Sequence, residues 1–115
     1  MLMAKEYLEK LSVLVERLRI RESFGNGSIE VKHFFSGAAL YANGNICVSW
    51  SPVGIAFKLS ECEVAKLVES KKGKPLKYFP KGNVKKGYVL FESPESSEPE
   101  RWKPYFSKSI KLCAG

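Results

Sequence analysis

Few side chains in this sequence are equipped for chemistry. It holds one histidine, His33, three cysteines at positions 47, 62 and 113, and no Asp at all, so every carboxylate side chain is Glu. A nucleophilic triad needs a base beside its nucleophile and commonly an Asp to orient that base, so His33 would have to serve every such proposal. His33 shares the apolar side of an alternating segment with Ile29, Val31 and Phe35. A hydrogen-bonded structural histidine is the simpler reading there than a catalytic base or a ligand. A metal site would need His33 joined by Glu and widely separated cysteines, with no ligand spacing to support it. No catalytic, cofactor-binding or metal-ligating residue is assigned, no cofactor is expected, and the chain is read as a non-enzyme.

The cysteines are odd in number and lack a Cys-x-x-Cys pair, which suits reduced thiols, at least two of them buried. Cys62 would fall in the first turn of a helix, where free N–H groups and the helix dipole favour a thiolate. The plainer reading is a small residue in a helical turn. Glycines are plentiful, but Gly25 and Gly27 precede a strand rather than a helix, the wrong context for a phosphate-binding loop.

Binding chemistry is concentrated in residues 71–86, which contain seven lysines and no acid. Lys72, Lys74, Lys77, Lys81, Lys85 and Lys86 could neutralise phosphates, and Tyr78 offers a stacking face, with Phe79 beside it. Arginine, which reads bases in bidentate fashion, is missing from the run, so such binding would be salt-sensitive and sequence-blind. Two plainer readings compete with it. One is a solvated loop, and the other is pairing with the acids Glu92, Glu95, Glu98 and Glu100.

The elements that would position these groups follow from periodicity. Tyr7, Leu8, Leu11, Leu14, Val15 and Leu18 recur at helical spacing within residues 4–19, with Glu6, Glu9, Lys10, Glu16 and Arg17 on the other face. Turn residues at 24–28 end that pattern, and alternation then predicts a strand from Ile29. Asn43-Gly44 predicts a tight hairpin between strands at 38–42 and 46–50, and Ser51-Pro52-Val53-Gly54 a second turn before a strand at 55–59. Ser60 with Glu63 fits a capping box, and Leu59 with Val64 a hydrophobic staple, for a short helix over 61–70. The basic connection that follows has room for a short strand, residues 88–91 form the last strand, and Trp102, Tyr105, Phe106, Ile110 and Cys113 mark a closing helix that Pro104 either starts or kinks.

At 115 residues with 44% hydrophobic and 27% charged side chains, the chain has the size and composition of one globular domain spanning residues 1–115. No apolar run approaches the ~18 residues needed to cross a bilayer, and charge enters by Lys5 and Glu6. A cytoplasmic location and no membrane partner are expected. The formal charge of +7 favours acidic partners, whether nucleic acid or protein.

Several ordered segments resemble one family. Phe35-Ser36-Gly37-Ala38-Ala39-Leu40-Tyr41-Ala42-Asn43-Gly44, then Pro52-Val53-Gly54-Ile55-Ala56-Phe57-Lys58-Leu59, look like the N-terminal domain of the TfoX/Sxy competence regulators. Lys74-Pro75-Leu76-Lys77-Tyr78-Phe79-Pro80-Lys81-Gly82, Lys85-Lys86-Gly87-Tyr88-Val89-Leu90-Phe91 and residues 102–112 resemble the later parts of that domain. Ser36 stands where the family usually has Gly, and Phe34 where Met is common, departures that bear on the local turn. The resemblance covers about residues 5–113 and implies a two-layer α+β fold of order α-β-β-β-β-α-β-α. In it an antiparallel sheet of four to five strands carries N- and C-terminal helices and one short middle helix. It brings no catalytic residues. It implies a regulatory or protein-interaction domain whose partners belong to the transcription machinery, with a homodimer as a further option. The alternative, from the lysine run, is a non-specific nucleic-acid-binding accessory protein.

Overall fold

A computed structural model describes residues 2–24, 29–34, 37–76, 85–92, 94 and 97–114. The chain begins with α1 (Leu2–Arg17), whose buried Leu11, Leu14, Val15 and Leu18 follow the predicted stripe. The expected single helix over 4–19 is two. Arg19 adopts a left-handed φ of 53°, and a second helix, α2 (Ile20–Phe24), follows. Leu18 and Ile20 both reach the core, and two residues of one helix set two apart point some 200° away from each other. The break at Arg19 lets both turn inward. The turn predicted at 24–28 lies outside the described residues beyond Phe24, the end of α2.

Among the described residues six strands form one antiparallel sheet in the order β1-β2-β3-β4-β6-β5. They are β1 (Ile29–Phe34), β2 (Gly37–Ala42), β3 (Asn45–Ser51), β4 (Gly54–Lys58), β5 (Lys74–Leu76) and β6 (Lys85–Phe91). Between β4 and β5 lies α3 (Glu61–Glu69), and after β6 a 3₁₀ turn (Pro99–Trp102) leads into α4 (Lys103–Ala114). This is the expected two-layer α+β arrangement, with one strand more than the four to five anticipated. The addition is β5, three residues long on the sheet edge, where Pro75 is tolerated because an edge strand need not donate on both sides.

Local chemistry explains the turns. Asn43 and Gly44 both take positive φ, 50° and 82°, as the two-residue β2–β3 turn requires. Gly54 opens β4 at φ 134°, and a Cβ there would stand 2.3 Å from the Phe91 carbonyl oxygen, so β6 could not approach. At α3 the Ser60 hydroxyl accepts from the Glu63 amide at 3.2 Å, and Leu59 is buried with Val64 packed on the same cluster. The helix ends in a Schellman motif: the Lys71 amide donates to the Val68 carbonyl and that of Lys72 to the Leu67 carbonyl, with Lys71 left-handed at φ 61°.

Alternation divides the sheet. Leu40, Val48, Trp50, Ile55, Phe57, Val89 and Phe91 face the helices, α1 over β1–β3 and α4 over β2–β4. Phe57 centres an aromatic group, with ring centroids 5.2 Å from Phe106, 5.5 Å from Tyr105, 5.9 Å from Trp102 and 6.0 Å from Phe91. Pro104 sits in the first turn of α4, where its missing N–H costs nothing, so the helix starts there rather than kinking. On the opposite face Ala56, Leu76, Tyr88 and Leu90 make a smaller cluster.

Candidate functional site

The basic segment is placed only in part. Lys72 and Lys74 are exposed just after α3 and at the start of β5. Lys85 and Lys86 lie in β6 by backbone, with Lys85 in register with Leu76. Lys77, Tyr78 and Lys81 are outside the described residues. Lys74 holds Glu92 at 2.9 Å, an exposed pair that matches the pairing reading of the run at this position. Lys66, Lys71 and Lys72 are exposed around the C-terminal end of α3.

The structure places the other candidate residues apart from one another. His33 pairs with Ala38 on the helix side of β1, the apolar side that alternation gave it, but β1 is an edge strand and the side chain is exposed. Cys62 is exposed in the first turn of α3. Cys47 is buried and Cys113 half-buried, so one thiol rather than two is fully enclosed. Among the described residues no group of three or more His, Cys and Glu could hold a metal ion, and no helix is long and apolar enough to cross a membrane.

A surface that the sequence did not single out lies along α1. An open groove of about 470 Å³ is lined by Glu6, Glu9, Lys10, Val13, Leu14, Arg17, Trp50 and Pro99. Val13, among these residues, is 65% exposed. The Lys10 ammonium lies 3.0 Å from Glu6, 5.3 Å from the Tyr7 ring centroid and 5.9 Å from that of Trp50. Arg17 reaches Glu100 at 3.5 Å, tying the far end of α1 to the 3₁₀ turn, and Arg21 meets Glu16 at 4.0 Å. All three pairs are solvent-exposed, a setting in which each contributes about 0–1 kcal/mol. The signal available in the sequence was Val13 itself, one aliphatic residue within the charged face of an amphipathic helix.

Compared with known proteins, the sequence matches no family model and no curated protein.

Proposed function

We propose that this chain is a non-enzymatic regulatory domain that works through protein interaction, of the kind its resemblance to the TfoX/Sxy N-terminal domain implies. The α+β element order accords with that resemblance, and the charge pattern around Val13 on α1 carries the interaction reading. Glu6, Glu9, Lys10, Val13, Glu16 and Arg17 recur at three- and four-residue steps and so share one face of the helix. The pattern is self-complementary: Lys10 and Glu16 lie three residues either side of Val13, and Glu9 and Arg17 four. An antiparallel pair of α1 helices with its two-fold axis at Val13 sets each base against an acid of the other copy, and Val13 against Val13.

The partner is therefore a second copy of this chain, joined through α1. Four rim ion pairs and a narrow apolar centre give a weak, reversible dimer, as suits a regulatory contact. The existing exposed pairs can be exchanged for intermolecular ones at small cost. A concentration series by sedimentation tests it with Val13→Glu, an exposed substitution the fold tolerates. The wild type gains mass with concentration and the variant stays monomeric; a wild type that stays monomeric at millimolar concentration ends the reading.

The second reading, a sequence-blind nucleic-acid accessory, rests on the exposed Lys66, Lys71 and Lys72 and the formal charge of +7. It predicts duplex DNA binding that weakens steeply with salt and is lost when Lys71 and Lys72 become Glu. Absence of binding at low salt removes it.

A further inference from the structure

The β2–β3 hairpin carries an irregularity with a chemical consequence. Leu40 pairs with Val48, but the next residue, Tyr41, pairs with Ile46, so Cys47 is an extra residue on β3 with no partner opposite. In a regular strand Cys47 would point away from the face that Val48 occupies. A bulge re-aims the side chain at the extra position. Cys47 is instead fully buried in the main core cluster between sheet and helices, and Cys113, in the last turn of α4, packs on that same cluster.

The two thiols share one hydrogen-bonded corner. Cys113 Sγ donates to the Ile46 carbonyl at 3.4 Å, and Tyr88 Oη donates to the same oxygen at 3.0 Å. Cys47 Sγ lies 3.4 Å from the Asn45 carbonyl, and Asn45 Nδ2 in turn donates to the Cys113 carbonyl at 3.2 Å. Both the backbone and the side chain of Cys113 are thereby fastened to Asn45 and Ile46, the two residues just before the bulge. The two thiols thus donate to the carbonyls of adjacent residues, Cys47 to Asn45 and Cys113 to Ile46.

We propose that Cys47 and Cys113 form an oxidation site, a thiol pair that hydrogen peroxide converts to a disulfide clamping the end of α4 to β3. Cys113 is the entry point because it is half-buried, whereas Cys47 is enclosed. The Cys113 thiolate attacks the peroxide: an S–O bond forms, the O–O bond breaks, and the departing hydroxide takes up a proton to become water. Cys47 then attacks the Cys113 sulfur. An S–S bond forms, the S–O bond breaks, and the hydroxide released leaves as a second water with the Cys47 proton. Two thiols lose two electrons and one peroxide gains them.

Burial, then the neighbouring Cys113 thiol, holds the Cys47 thiol well above the ordinary range. Cys47 therefore stays protonated, and the first step falls to the more accessible Cys113.

The test uses the full chain with Cys62→Ser, an exposed substitution that removes cross-linking between chains. The protein is treated with dilute hydrogen peroxide, denatured, alkylated and digested. The expected result is a monomer in which the Cys47 and Cys113 peptides are joined, both thiols are protected from alkylation, and a dithiol reductant restores them. In the Cys47→Ser variant, the same treatment should leave Cys113 as a sulfenic acid that dimedone captures. Oxidation of Cys113 to the sulfinic acid with Cys47 still alkylatable overturns the proposal, as does a disulfide found only between chains.

Discussion

The end of α3 offers a sharp test of the backbone argument. Lys71 occupies the left-handed position of a Schellman motif at φ 61°, with both of the motif's hydrogen bonds in place. A side chain with a Cβ pays about 1–2 kcal/mol there, and Gly pays nothing. Lys71→Gly relieves that strain, gives back about 0.5–1 kcal/mol through the greater freedom of Gly in the unfolded chain, and loses about 0.3 kcal/mol of favourable charge at the helix C-terminus. The net gain is about 0.5 kcal/mol. Lys71→Ala keeps the strain and loses the charge, so it should be destabilised by about 0.3 kcal/mol. Urea unfolding followed by far-UV circular dichroism should therefore place the Gly variant's midpoint above the wild type and the Ala variant's below it, with unchanged slopes. Equal midpoints for the two variants would refute the left-handed strain argument.

Two further outcomes follow from the packing and the charges. Phe57→Ala empties the centre of the aromatic group and should cost about 3–5 kcal/mol, read as a lowered denaturation midpoint with loss of near-UV dichroism. The Lys108 ammonium, 2.7 Å from Glu63, is held above the ordinary lysine value by that hydrogen bond and charge. A raised folded value means that the stabilisation is complete below the unfolded lysine pKa and fades as pH rises through the folded one. Wild type should therefore lose a small increment of stability above pH ~10.5 that Glu63→Gln lacks, small because the pair is exposed to solvent.

What the sequence made legible is what local chemistry decides. Asn43-Gly44 announced the tight turn, Ser51-Pro52-Val53-Gly54 the turn before β4, and Ser60 with Glu63 and Leu59 with Val64 the start of α3. Long-range packing decided the rest. The helical stripe of residues 4–19 ends at Leu18, and nothing local announces the left-handed Arg19 or the second helix that buries Ile20. The basic connection left room for a short strand but not its place, because the strand at Lys74–Leu76 exists only by pairing with β6. Ile46, Val48 and Trp50 alternate as a regular strand, so nothing local marks Cys47 as the bulged residue or brings it to Cys113. The α1 groove needs Trp50 and Pro99 from distant parts of the chain, and its central Val13 stood out only as an aliphatic residue in a charged stripe.

The self-complementary α1 stripe is tested most directly by a charge-exchange cycle in sedimentation equilibrium. Glu9→Arg and Arg17→Glu each place like charges across the two-fold axis at two symmetry-related points, and each alone should weaken association by about tenfold or more. The double variant carries the same pairs reversed and should recover the wild-type dimer. Recovery is the result predicted for an antiparallel α1 pair centred on Val13. Two single variants that associate as the wild type does, or a double variant no better than either single one, would contradict it.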